Sequence, residues 1–202
     1  MNPSAVLPIA AHRLLGDLRI HDRSTYAHSL AVGRYAARLC TALDAPAALV
    51  AHAQAVGALH DVGKLAIPLN ILNAPRALTD DEARVMREHA DLGAKLLEVD
   101  TSLEHLVLGV RYHHERLDGF GYPHALRAEE IPPEARIVAV ADTFDALTRG
   151  RPYRPAIAVS QALCFLSAAA GRQLEPHLVT AFIHLIEAEG PERAHCYETD
   201  VA

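Results

Sequence analysis

The sequence predicts an all-α domain of about seven main helices. Three observations carry that expectation. Apolar positions recur at helical spacing through most of the chain. No stretch holds a sustained two-residue alternation between turn signals. The punctuation is that of helices, with capping residues, prolines in first turns and glycines after last turns.

Taken in order, residues 25–43 carry Leu30, Ala36, Leu39 and Leu43 close to helical spacing. Asp44 and Pro46 read as cap and first turn of a second helix, through Leu49, Val56 and Leu59 to His60. Gly63 and Pro68 break it. Thr79 with Glu82 forms a capping box for a third helix through Val85, Met86, Leu92 and Leu96. Ser102 reads as the cap of a fourth, which carries Leu103, Leu106, Val107 and Val110 and ends in His113-His114. Pro132-Pro133 precede a helix from Glu134 to about Leu147, nearly all apolar on one side. Ser160 opens a helix ended by Gly171, and Pro176 opens the last, ended by Gly190. Residues 65–78 and 117–133 are the longest irregular segments, and long ordered loops in helical domains are often functional. The usual looseness of chain ends predicts poor anchoring for roughly the first twenty residues and the last ten. The expected division is an N-terminal extension over 1–21, a catalytic domain over 22–190 and a tail over 191–202.

Bulk composition narrows the function. With 202 residues, half of them apolar and 22% charged, the chain suits one globular domain. A net charge of −6 argues against a nucleic-acid polymer as partner. A nucleotide ligand stays open, because a metal site brings its own positive charge. Cys40, Cys164 and Cys196 form no CxxC pair, which argues against a thiolate zinc site and for reduced thiols in the cytoplasm. The opening stretch MNPSAVLPIAAHRLL lacks a basic n-region, and no segment approaches the ~20 apolar residues of a membrane span.

The anomaly is 13 histidines. His28, His60-Asp61, His89, His113-His114 and Asp142 fall on five predicted helices, on or near the apolar side or at an end. Facing helices can aim such side chains into one cavity and hold a metal. A lone histidine at an apolar edge is usually an ordinary core or surface residue. Asp142 is harder to dismiss, because it interrupts the apolar run Ile137-Val138-Ala139-Val140-Ala141, and an enclosed carboxylate needs a cation or a strong donor. Five histidines and two aspartates exceed one tetrahedral zinc and suit two octahedral ions sharing a carboxylate.

The doublet His60-Asp61 resembles that of the HD superfamily of metal-dependent phosphohydrolases. The strings LHDVGKLAIP (Leu59 to Pro68), HHERLDGFGYP (His113 to Pro123) and IPPEARIVAVADTFDALTRGRPYR (Ile131 to Arg154) closely resemble its HD-GYP subfamily, over roughly residues 22–183. The resemblance implies an HD-type helical bundle that hydrolyses cyclic di-GMP to pGpG, and further to GMP, using two divalent ions, iron or manganese, with attack by a metal-bridging hydroxide. It implies that His28, His60, Asp61, His89, His113, His114 and Asp142 are metal ligands, Asp61 bridging. It gives Lys64 the scissile phosphate, Arg151 and Arg154 the phosphate and guanine side of the nucleotide, and Gly121, Tyr122 and Pro123 the loop beside the substrate. Ser24 stands where some members carry a third-metal glutamate, which favours a dinuclear centre. Phe120, Ala125 and Ala128 depart from the family's usual small polar residues and glycines in the substrate loop. Leu174-Glu175-Pro176 replaces a Phe-Asp-Pro, a change expected in packing and capping.

Around these motifs, Gly119 and Gly121 are expected to supply unusual backbone angles and Asp118 to cap the turn. Glu115 and Arg116 are expected to be solvated or to steady a ligand histidine's tautomer. Cys164 is expected to pack as a small apolar residue. Two alternatives stay open: a phosphohydrolase of another nucleotide, such as a different cyclic dinucleotide, and a silent module that senses the dinucleotide or docks onto a signalling protein such as a diguanylate cyclase.

Overall fold

In a computed structural model, residues 7–150 and 156–190 are described. Among them there is no β-strand, and two isolated bridges, Asp118 with Arg127 and Ala170 with Leu174, tie loop segments together. The helices are α1 (Ile9–His21), α2 (Arg23–Ala42), α3 (Ala47–Leu59), α4 (Leu69–Leu72), α5 (Asp80–Arg87), α6 (His89–Glu98), α7 (Val107–Tyr112), α8 (Pro133–Thr148), α9 (Val159–Ala169) and α10 (Pro176–Glu189). Short 3-10 turns lie at Val62–Ala66, Thr101–Leu106 and Ala128–Glu130.

The bundle is built around α2, which packs on α1, α3, α8 and α10. Tyr35 of α2, Phe144 of α8 and Phe182 of α10 meet edge to face with ring centroids 5.1–5.8 Å apart. That is the favoured aromatic geometry, and it pins three helices through one point. Glycine sets the closest approach. A Cβ on Gly33 would crowd the Gln54 carbonyl at 2.7 Å, and one on Gly57 would crowd Gly33 Cα at 2.8 Å. The α2 and α3 backbones therefore touch directly, which brings His28 beside His60.

Several expectations are refined. Residues 9–21, expected to be loosely tied, form a helix that buries Ala11, Leu15 and Leu18. The helix expected through Leu96 is two, α5 and α6, divided at Glu88. Its capping box is present, with Thr79 Oγ1 accepting from Glu82 N at 3.3 Å and Glu82 Oε2 from Thr79 N at 2.9 Å. Asp44 does not cap α3; it occupies a left-handed turn at φ 53°, and Pro46 precedes the helix. Asp100, not Ser102, caps the turn that leads into α7. Ala158, not Ser160, precedes α9, and Cys164 on that helix is exposed. Glu175 does not cap α10; it pairs with Arg136 at 2.9 Å and ties α10 to α8.

Candidate metal centre

Five segments deliver the cluster. His28 lies within α2, His60-Asp61 follow α3, His89 opens α6, His113-His114 follow α7, and Asp142 lies within α8. The turn after Asp61 runs hard against the start of α6. A Cβ on Gly63 would overlap the His89 carbonyl and Gly93 N. This glycine is needed for room, and the room places Asp61 against His89.

The seven side chains gather into two groups with a bridge. His28, His60 and Asp142 bring ligand atoms within 4.8 Å of one another, as do His89, His113 and His114. His60, Asp61 and His113 form a third such group between them. Asp61 faces both sides. Its Oδ1 lies 3.3 Å from His89 Nε2, and its Oδ2 lies 3.4 Å from His60 Nε2 and 3.7 Å from His28 Nε2. His28 Nε2 is 3.0 Å from Asp142 Oδ1, and His114 Nδ1 is 4.0 Å from Asp142 Oδ2.

Tautomers follow from the outer partners. Nδ1 of His60, His89 and His113 lies 2.6–2.7 Å from the carbonyls of Gly57, Met86 and Val110. A carbonyl only accepts, so each Nδ1 carries the proton and each Nε2 presents a lone pair inward. Burial pushes His89 down to about 4 and His114 to about 3, and holds His113 well below its ordinary value. These rings stay neutral at physiological pH, as ligands must. His28 differs. Burial opposes its charge, but hydrogen bonds to Asp142 and Asp145 carry it up to about 9. Burial also opposes the Asp61 charge, yet Lys64 and His60 hold that carboxyl well below the usual range.

A family model described as HD domain matches residues 13–178. The chain belongs to the HD domain family. The His60-Asp61 doublet and the Gly121-Tyr122-Pro123 loop are the marks of its HD-GYP group. A cyclic di-GMP phosphodiesterase of Pseudomonas aeruginosa is 37% identical over 186 residues, 92% of this chain and 43% of that protein. The 3'3'-cGAMP-specific phosphodiesterase 2 of Vibrio cholerae is 35% identical over 172 residues, 83% of this chain and 33% of that one. The chain thus spans less than half the length of these relatives. Among solved structures, the HD domain of the L. monocytogenes phosphodiesterase PgpH, in complex with cyclic-di-AMP, superposes with a TM-score of 0.64 at 17% identity. The match covers 95% of this chain and all of that one, and it shows the shared fold.

The HD-domain residues fit divalent cations. His60 Nε2 and Asp61 Oδ1 are enclosed without a hydrogen bond among the described residues. An enclosed acceptor left without a donor costs ~1–3 kcal/mol, which a cation would relieve. Imidazole with carboxylate suits divalent first-row metals.

The centre opens into a cleft of about 460 Å³ whose wall includes Ser24, Lys64, Tyr122, Thr143 and Arg149. Lys64 Nζ lies 2.6 Å from Asp61 Oδ2. The Tyr122 ring lies 4.7 Å, centroid to centroid, from that of His114, tilted by 32°. Pro123 follows Tyr122 through a cis peptide bond. Gly119 has φ 76°, as expected, but Gly121 is needed for space instead of angle. A Cβ there would meet Glu115 Cα and Arg116 N at 2.5 Å. Ala125 and Ala128 hold left-handed φ values of 56° and 39°, conformations that favour glycine. Phe120 is exposed at the loop tip. Arg151 and Arg154 lie outside the described residues.

Three roles differ from, or sharpen, the expectation. Glu115 is buried and neither solvated nor bonded to a ligand ring. Its two oxygens accept from His124 N at 2.7 Å and Leu126 N at 3.0 Å, clamping the returning loop. Arg116 pairs with Asp118, which accepts from Phe120 N and so caps the turn. Asp145, not singled out in the sequence, is buried beside His28 and Arg149. Its signal was available, since it stands three residues after Asp142 in the same apolar helix.

Proposed function

We propose that this domain is a metal-dependent phosphodiesterase of cyclic dinucleotides, with cyclic di-GMP as substrate and pGpG as first product. The observation that carries the reading is Asp61, whose two oxygens face two separate groups of imidazoles. That arrangement supports two ions, iron or manganese, one per group, with His28, His60 and Asp142 on one side, His89, His113 and His114 on the other, and Asp61 shared. Such ions, when bound, acidify a water and draw charge from a non-bridging phosphate oxygen.

The chain's own residues do the rest. The rings of His60, His89 and His113 present Nε2 because their Nδ1 protons are committed to carbonyls. Lys64, at the cleft wall, offsets negative charge on the phosphate, a role typically worth ~2–4 kcal/mol. Tyr122, braced on His114, borders the bound nucleotide, and Glu115 fixes the loop that carries it. Gly121 and Pro123 shape that loop, and Arg151 and Arg154 hold the nucleotide's phosphate and guanine. A second reading, 3'3'-cGAMP as substrate, rests on the V. cholerae relative, and the departures at Phe120, Ala125 and Ala128 leave it open.

Turnover of cyclic di-GMP and 3'3'-cGAMP by manganese- or iron-loaded protein, beside Asp61→Ala, tests the reading. We expect cyclic di-GMP to be hydrolysed faster, and Asp61→Ala to lose at least ~100-fold in rate together with bound metal. Near-normal rate and metal content in that variant would end the dinuclear assignment, and strong preference for cGAMP would move the substrate.

A further inference from the structure

We infer that Asp145 is a positioning residue that aims His28 at the cation held with His60 and Asp142. This rests on the metal reading above and goes past its ligand set.

The inference starts from a difference between histidines. His60, His89 and His113 each tie Nδ1 to a carbonyl three residues earlier. They can do so because each follows the end of a helix: α3, α5 and α7. The last four carbonyls of a helix have no partner within it. A histidine just past the end finds one of them free. His28 has no such option. It is the sixth residue of α2, Arg23–Ala42, where carbonyls are spent on the helix's own ladder. Its outer nitrogen needs an acceptor from another helix.

Asp145 is that acceptor. It lies on α8, 117 residues away, with 4% of its surface exposed. Its Oδ2 accepts from His28 Nδ1 at 2.6 Å and from Arg149 Nε at 2.8 Å. The Arg149 guanidinium, just past the end of α8, holds that same oxygen and reaches Oδ1 with Nη2 at 3.4 Å. The bond to His28 does two things. It places the ring proton on Nδ1, and it sets the ring's rotation so that Nε2 stands 3.0 Å from Asp142 Oδ1. Asp142 and Asp145 are thus one helical turn apart, one facing the cation position and the other holding its neighbouring ligand. A purely structural carboxylate would be satisfied by Arg149 alone and would have no selective effect on one side of the centre.

The test is a manganese titration of the metal-free full chain, read by equilibrium dialysis and elemental analysis, for wild type, His28→Ala, Asp145→Ala and Asp145→Asn. Circular dichroism checks that each variant folds. In Asp145→Ala and His28→Ala, one ion should weaken by ~10–100-fold while the other, at His89, His113 and His114, changes by less than about threefold. Asp145→Asn keeps an oxygen that accepts from Nδ1 and should fall between wild type and alanine. If His28→Ala loses an ion but Asp145→Ala binds both as wild type does, the positioning role is wrong. If Asp145→Ala loses both ions equally, the residue is merely structural and the inference also fails. If His28→Ala itself keeps both ions, the metal reading of His28 falls instead. Should the alanine variant not fold, Asp145→Asn decides, and an unchanged titration overturns the proposal.

Discussion

Lys64 shows how much one side chain is asked to do. Its ammonium lies 2.6 Å from Asp61 Oδ2, in the cleft wall, one turn past the proposed bridging carboxylate. Replacing it with alanine removes positive charge where the phosphate's charge would grow. Lys64→Ala should therefore lower the single-turnover rate by about 10²-fold. Metal affinity should not fall, because the ammonium competes with a cation for the same oxygen. Rate and elemental content measured on one preparation check this, and metal lost in proportion to rate would refute it. The HD-GYP motifs, with the Asp142 carboxylate inside an apolar helix, made the seven candidate ligands legible, whereas a lone histidine at an apolar edge would have read as an ordinary core or surface residue. Direction was not legible. Glu115 sits next to His114 in sequence, yet its carboxylate reaches forward to residues 124 and 126. Asp145 carries no motif signal beyond its spacing from Asp142, and its partner His28 is distant in sequence.

At the scale of elements, the glycine and proline breaks were mostly readable, most capping residues were not, and the crossings were not. Thr79 and Glu82 close as the sequence implied. The division at Glu88 leaves no gap in apolar periodicity, so residues 79–96 look continuous although His89 starts a new helix. Helix α1 was missed for a different reason. Ala11, Leu15 and Leu18 have helical spacing, but the general looseness of chain ends outweighed that pattern. Gly63 is the element-level feature with the clearest consequence. An added Cβ would overlap the His89 carbonyl, so the turn after Asp61 and the start of α6 would have to separate. Gly63→Ala should cost about 1–3 kcal/mol in a urea unfolding curve and weaken manganese binding in parallel. A variant that unfolds and binds metal like wild type would show that the crossing has slack.

Over the whole molecule, the centre joins five helical segments, so its protonation is coupled to folding. In the metal-free protein the terms have opposite signs. His89 and His114 are lowered by burial to about 4 and 3, so below about 6.5 the unfolded chain takes up protons that the folded chain refuses. Stability should fall as pH drops from about 6.5 towards 4. His28 is raised to about 9, burial being outweighed by Asp142 and Asp145. Its contribution is complete below about 6.5 and is lost as pH climbs through 9. The melting temperature of the metal-free chain should therefore peak near pH 6.5. Cations bind the deprotonated cluster, so they displace protons, and their stabilising effect should grow with pH where those protons remain bound. His28 keeps its proton up to about 9, which places that growth between neutral and alkaline pH. Manganese should raise the melting temperature more at pH 8 than at pH 6, and a chelator should return the profile to the metal-free one. Equal shifts at both pH values would mean that no proton leaves on binding, and so that His28 is not among the groups the cation takes.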